Sequence, residues 1–556
     1  VTPLLVVLVL ALVVIAGAAV VGPRLGVASP LVLVGIGVAA SFLPVVGPIE
    51  IEPEWILAGV LPPLLYSSAV SMPAMNFRRE FGAISGLSVL LVVGTSLVLG
   101  LFFQLVLPDL GFAWGVALGA IVSPTDAVAT SIVKGTSVSR RVVAMLDGES
   151  LLNDATALVL LRTAIAAAAA SFSFWGALGS FGYSVLIAGI VGGLVGWLNL
   201  AVRRRVQDPT VNTILSFTVP FLASVPAELL GASGLVAAVV AGIVTGIRAP
   251  RELSPQNRLS DSQNWRTVEL VLEGAVFLTM GLQVRAIVTS VEEDHAGVGP
   301  AVLIAAGALL LTILVRAAYV APLLGVLRSR GRLRERMRPR VEGLQERMGT
   351  EEGREESLQR ISRGRRSPTA RDLERFGTRL TRMLADMEYF VRAPLGWREG
   401  TAVVWAGMRG AVTVAAAQTL PEDTPQRSVL VLIAFAVAAL SLLLQGGTVG
   451  PLLRAIAPDV DEAAEERVRE EERTRVFALL RTSAEAVQEP PPAPDAPRTE
   501  AFLQAQRHRL AVIAAQRSDL LDARDNGTFD ADVLASVLAA LDASQIDLEI
   551  RARTAR

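Results

Sequence analysis

The sequence predicts an all-α polytopic membrane protein, with about thirteen transmembrane helices in two inverted six-helix repeats and a soluble helical C-terminal tail. Three observations predict it. Apolar runs of about 20 residues, the length that spans a hydrocarbon core, recur from residue 3 to about residue 456. Basic residues crowd into every second connecting loop. The fifth and twelfth spans are interrupted near their centres by Pro or Gly and by charge.

The spans read 3–21, 29–46, 54–73, 82–107, 112–134, 141–170, 175–201, 210–228, 233–248, 265–285, 299–326, 400–421 and 427–456. The chain is 52% hydrophobic, which soluble domains also approach, so the distribution decides. The first run, Leu4 to Val21, has no basic start and reads as a membrane helix, not a signal peptide. Odd-numbered loops carry Arg24, "FRRE", "KGTSVSRR", "RRRVQDP" and "IRAPRELSPQNR", and the eleventh is the Arg-dense stretch 327–399. Even-numbered loops such as "VGPIEIEPE", "PDLG" and "VRAIVTSVEEDHAGVG" are nearly free of basic residues. Cytoplasmic loops are the basic ones. The N-terminus is therefore expected outside and the tail inside.

This divides the chain into a transmembrane domain, 1–456, with the cytoplasmic insertion 327–399 inside it, and a cytoplasmic tail, 457–556. The insertion reads as a solvated, partly helical segment; contact with anionic lipid headgroups is the sharper alternative. The tail has a charged helix, a Pro-rich linker near 488–497, and two helical stretches around the turn "RDNGTFD". It shows no catalytic motif. The absence of cysteine excludes disulfides, thiolate metal sites and a thiol nucleophile. The two histidines, His295 and His508, both lie in polar stretches, which excludes a histidine-based metal cluster. A net charge of −1 gives no reason to expect a nucleic acid partner.

Four places break the apolar pattern at depth. In "SPTDAVAT", Pro124 disfavours helix in the residue before it, and Thr125 and Asp126 follow near mid-membrane. An Asp there needs a cavity or a cation; the plain alternative is a proline kink with a capping Asp. In "GESLLND", Glu149, Asn153, Ser150 and Asp154 fall at about 0°, 40°, 100° and 140° around a helix. Glu149 and Asp154 are ~7.5 Å apart along the axis, too far to share one proton, so they should do different jobs. Arg316 lies as far from the inner end of its span as Glu149 does from its own, which makes the two candidate partners. Arg409 sits between Gly407 and Gly410 and needs an acceptor, which the free carbonyls of a broken helix would supply. The fifth and twelfth spans lie an odd number of spans apart and so run in opposite directions. The same offset pairs spans one to six with eight to thirteen, the arrangement of inverted repeats with broken helices.

At these residues the chain resembles a bacterial monovalent cation:proton antiporter of the sodium/proton exchanger family, in its Asn-Asp branch. The resemblance covers residues 3 to about 456 and rests on "SPTDAVAT", "GESLLNDATALVL" and "GMRGAVTVAAA", in order, with "AELLGASGLVAAVVAGIVTG" and "VFLTMGLQV" beside them. It implies Asp154 as the main ion-binding carboxylate, completed by Asp126, Thr125, Ser150 and Asn153. A monovalent cation would be the sole metal, held at Asp154 and Asp126. Glu149 would be held by Arg316, and Arg409 would stabilise the break in the twelfth span. No role is carried to Thr413. A single Asp at the Asn-Asp pair implies electroneutral exchange. The family further implies a multi-pass protein of the bacterial plasma membrane, a homodimer, and a part in pH and sodium homeostasis, with no enzymatic activity and no cofactor.

Elementary chemistry points the same way. A hard monovalent cation wants oxygen ligands, and a carboxylate taken out of water holds a proton more readily. One site occupied by either gives exchange by competition, with Na+ as the cation and Li+ or K+ as alternatives. An intramembrane aspartyl protease would use two membrane aspartates, but it has no use for Asn153 or Arg409. A channel would need a carbonyl filter loop, and none is visible. Glu269 and Glu273, one turn apart, either line a funnel or pair with a basic residue; Arg162 is expected to reach the interface.

Overall fold

The computed structural model describes residues 2–25, 27–44, 52–126, 128–136, 138–169, 174–294, 297–349, 370–456, 462–488 and 498–554. His295, the middle of the Arg-rich stretch, most of the Pro-rich linker and the loop segments 45–51 and 170–173 lie outside the described residues. The described residues are helical, without strands.

The helices are α1 (Thr2–Leu25), α2 (Ser29–Ser41), α3 (Leu61–Ser71), α4 (Ala74–Ser85), α5 (Val92–Val106), α6 (Phe112–Val122), α7 (Val128–Lys134), α8 (Arg140–Ala169), α9 (Phe174–Arg203), α10 (Pro209–Leu229) and α11 (Gly234–Glu252). They continue with α12 (Pro255–Leu282), α13 (Val284–Glu293), α14 (Val298–Gly349), α15 (Ala370–Arg392), α16 (Trp397–Trp405), α17 (Ala411–Gln418), α18 (Arg427–Ser441), α19 (Gly447–Ile456), α20 (Glu462–Glu485), α21 (Arg498–Asn526) and α22 (Ala531–Thr554). Among the described residues, nine helices are long and apolar enough to cross a membrane. Shorter apolar helices accompany them at Ser29–Ser41, Trp55–Ser71 and Phe112–Val122. Helix is what apolar surroundings demand, because each backbone polar group must be satisfied within its own segment.

Three segments differ from the expectation. "FRRE" is not a loop: it lies in α4, where Glu80 is buried and pairs with Arg141 at 2.6 Å. α14 runs past residue 326 into the Arg-rich stretch, through Gly331, Pro339 and Gly343, and is described as far as Gly349. α13 forms where a loop was expected, since Ile287 and Val291, four residues apart, bury one face of it.

Two groups of helices make up the transmembrane unit, which comprises residues 1–249, 259–323 and 396–457. α3, α9, α10, α11 and α12 share an apolar cluster that includes Tyr66, Ala188, Val219, Ala237 and Trp265. α5, α6 and α8 pack together and against α17 and α18. The first group is pinned by a buried cation. Arg203 donates to Asn212 Oδ1 at 2.8 Å and Ser216 Oγ at 3.2 Å, and pairs with Asp261 at 3.0 Å. Trp265 Nε1 donates to the same Ser216 Oγ at 2.9 Å.

A second compact unit comprises residues 250–258, 324–395 and 458–556. Its α20, α21 and α22 close around Val476, Leu480, Leu520, Leu534 and Val537. Arg251 pairs with Asp522 and Asp525 at 2.7 Å each, and Arg258 pairs with Asp542 at 2.5 Å. α15 packs against the far half of α14 through Leu380, Met387 and Val341.

Removing one member of a buried ion pair strands the other and costs ~3–5 kcal/mol. Arg203→Met should therefore lower the melting temperature of the detergent-solubilised protein, as followed by size-exclusion of heated samples. Arg203→Met together with Asp261→Asn should recover part of the loss.

Candidate functional site

The centre of the site is the meeting of two broken helices. α6 stops at Val122 and α7 begins at Val128, with Pro124 denying the helix a donor between them. α16 stops at Trp405 and α17 begins at Ala411, with Gly407 and Gly410 in the gap. The gaps touch: Asp126 N donates to Met408 O at 2.8 Å.

Their charges are complementary. Arg409 is 2% exposed. It donates to Val122 O at 3.0 Å, to Ser123 O at 3.5 Å and to Gly407 O. These are the free carbonyls past the C-terminal ends of α6 and α16, where helix dipoles are negative. Asp126 stands at the opposite ends. Its Oδ1 accepts from Val128 N at 3.1 Å, at the start of α7. Its Oδ2 occupies the space beside Gly410, the residue before α17, where an added Cβ would fall 1.3 Å away. Asp126 is thus a helix cap as well as a carboxylate at depth.

α8 carries the next layer. Glu149 and Arg316 meet as a bidentate pair, at 2.5 Å and 2.8 Å, with both side chains 2% exposed. Arg316 Nε also donates to Val403 O of α16 at 2.9 Å. Gly407 leaves room for that guanidinium, since a Cβ there would lie 2.7 Å from Arg316 Nε. Thr125 joins this pair to the first break: its hydroxyl donates to Glu149 Oε1 at 3.1 Å. Asn153 Nδ2 donates to Thr125 O at 3.0 Å and Thr125 Oγ1 at 2.8 Å. Asn153 is fully buried, and its Oδ1 has no hydrogen-bond partner among the described residues.

Asp154 lies one residue further round the helix. It lines a small cavity of about 10 Å³ with Pro124, Leu158, Leu161, Val412 and Ala416. Among the described residues no side chain or backbone group donates a hydrogen bond to it, and Asp126 is close enough to repel it electrostatically. Ser150 is not drawn in: its hydroxyl donates to Asp147 O of its own helix at 3.0 Å. Thr413 is buried on α17 and Arg162 is exposed. Glu269 accepts from Ser67 at 3.4 Å, and Glu273 lies near enough to Asp126 to interact electrostatically. Neither forms a salt bridge among the described residues.

Sequence reasoning passed over the supports of the site. Ser88 donates to Glu149 O at 3.2 Å. Arg409 N donates to Ser441 Oγ at 2.9 Å, Ser441 donates to Gln445 Oε1 at 2.7 Å, and Gln445 Nε2 donates to Trp405 O at 3.1 Å. The available signal was Ser441 and Gln445, one turn apart in an otherwise apolar run. Lys134 at the end of α7 pairs with Asp147 at 3.0 Å. Among the described residues no group of His, Cys, Asp and Glu is placed to hold a multivalent metal ion.

A polytopic helical protein whose two broken helices meet at buried charges has the build of a secondary transporter. The family model for "Sodium/hydrogen exchanger, transmembrane" matches residues 6–345 and 376–455. The chain belongs to that family, whose members are transporters and not enzymes. It is 35% identical over 269 residues to an uncharacterized Na(+)/H(+) exchanger of Escherichia coli, YjcE, covering 46% of this chain and 49% of that one. It is 31% identical over 276 residues to the "Sodium, potassium, lithium and rubidium/H(+) antiporter" of Bacillus subtilis, covering 48% of this chain and 41% of that one. These matches span about half the length of those relatives, or less. The structure of the sodium proton antiporter MjNhaP1 from Methanocaldococcus jannaschii superposes with a TM-score of 0.55 at 16% identity. That match covers 81% of this chain and 97% of the other, and it speaks for the fold.

The pairing of Glu149 with Arg316 makes a stability prediction. Arg316→Met strands a buried carboxylate and should cost ~3–5 kcal/mol, read as a fall in melting temperature. Glu149→Gln with Arg316→Met removes both charges and should melt closer to the unaltered protein.

Proposed function

We propose that the chain is a secondary antiporter that exchanges Na+ for H+ across a bacterial plasma membrane by competition at Asp154. The observation that carries this reading is the state of that carboxylate: half-buried, lining a small cavity, given no hydrogen bond among the described residues, close enough to Asp126 to be repelled, and following Asn153, whose Oδ1 is idle. A carboxylate without donors, repelled by a second carboxylate, calls for a positive partner, and a proton or a monovalent cation supplies it. Asp154 and Asp126 are the anionic ligands, with Asn153 Oδ1 and Thr125 as neutral oxygens. Ser150 joins them only after its hydroxyl turns from Asp147 O. Occupancy by cation or proton, never both, couples the two flows.

The remaining parts of the reading follow. Glu149 is spent on Arg316 and takes no part in the exchange. One exchanging carboxylate makes the cycle electroneutral. The chain crosses the membrane thirteen times in two inverted repeats, with its N-terminus outside and its tail in the cytoplasm, and works as a homodimer in pH and sodium homeostasis. K+ in place of Na+ is the second reading, favoured by the potassium named for the Bacillus relative.

Proteoliposomes loaded with a pH-sensitive dye test this with Na+, Li+ and K+. Cation-driven proton movement is expected, unaffected by a clamped membrane potential. Asp154→Asn should abolish it while the protein still inserts; wild-type rates in that variant would end the model. Competition fixes the sign with pH: once the carboxylate holds a proton, each unit of acidification should raise the apparent KM for the cation about tenfold. A KM independent of pH speaks against a shared site. Gly410→Ala should remove exchange too, because the added methyl displaces the Asp126 carboxylate rather than any backbone.

A further inference from the structure

Beyond Asp154 the path through the transmembrane unit is apolar: Leu158, Leu161, Val412 and Ala416 form the wall of its cavity. Two residues past Ala416 the chain turns polar again, at Gln418, the last residue of α17. Gln418 Nε2 donates to Gln283 Oε1 at 3.2 Å, and Gln283, between the end of α12 and the start of α13, is 3% exposed. This contact lies where the two helix groups meet: α12 packs around Trp265, α17 packs with α6 and α18, and α13, which Gln283 caps, packs against α18. The bond is only half made. Among the described residues, Gln283 Nε2 and Gln418 Oε1 are both buried with no partner, and Thr424 Oγ1 and Ser428 Oγ nearby in sequence are idle too. Arg427 stiffens the turn between them by donating to Leu420 O and Gln418 O, both at 2.8 Å.

A fixed joint between two bundles does better with a Leu or Met pair of the same volume, because burying idle polar atoms is unfavourable. A joint that must part gains from them, since each amide takes water on separation and the two states stay close in free energy. We propose that the Gln283–Gln418 pair is the closing contact of the outer gate, made when the site is shut from the outside and broken when Asp154 is exposed there. The proposal rests on the antiport reading and on its orientation, which places the ends of α12 and α17 outside. In it Gln283 and Gln418 are positioning residues: they set how readily the gate parts and touch no ion at Asp154.

Two experiments on the full chain in proteoliposomes test it. In Gln283→Met with Gln418→Met, exchange should fall by about fivefold or more. The cation KM should stay within about twofold, and the melting temperature should hold or rise. Unchanged exchange, or a loss that tracks a lower melting temperature, overturns the gate. The second uses the absence of cysteine in the chain. Gln283→Cys with Gln418→Cys, tethered during turnover by a reducible bifunctional thiosulfonate, should stop exchange and recover on reduction. Full tethering, confirmed by mass spectrometry, with undiminished exchange overturns the gate. If the unaltered protein moves no proton against any cation, the antiport reading itself fails, and the gate falls with it.

Discussion

The contact between the two broken helices is the constraint on which the rest depends. Four half-helix ends meet inside an apolar slab, and each would leave backbone groups unsatisfied there. Arg409 answers the two carbonyl ends, and Asp126 accepts from the amide end of α7 and lies beside the start of α17. Neither residue works alone. A lone Arg would be a buried cation without counter-charge, and a lone Asp a buried anion. Set against helix dipoles of opposite sign, both are accommodated, and the backbone can remain unwound at the depth where the site sits.

That arrangement sorts the other buried charges into those held and those left open. Glu149, with Arg316, Thr125 and the carbonyl of Val403, forms one closed network that ties α8, α14, α16 and the first break together. Every strong acceptor in it is used. Asp154 lies on the same helix, five residues on, and has none of these partners. Identical chemistry therefore meets different surroundings: one carboxylate is satisfied and holds helices together, and the other is left unsatisfied among the described residues. The helix group around Trp265 is held in a similar way, by Arg203 donating to Asn212 and Ser216 and pairing with Asp261.

Much of this was legible in the chain. Local signals, namely Pro124, the pair Gly407 and Gly410, and the spacing of Glu149 and Asp154, mark where helices break and which face of α8 is polar. They are legible because helical period and backbone chemistry act within a few residues. Ser441 and Gln445 were not legible as supports of the second break, since their partners Trp405 and Arg409 are more than thirty positions away and only packing brings them together. The buried pair Glu80–Arg141 was hidden for a different reason. Both residues sit in basic stretches that read as solvated, and nothing local distinguishes a charge that faces water from one that faces a neighbouring helix.

By itself, then, the sequence determined the helical class, the family motifs, the positions of the breaks and the candidate charges, all of which depend on near neighbours in the chain. The tertiary structure alone decided which charges are spent. It committed Asp126 to the start of α7, turned Ser150 back onto its own helix, and left Asn153 Oδ1 and Asp154 without hydrogen-bond partners among the described residues. Those outcomes follow from the distance between atoms on different helices, a quantity that composition and period do not contain.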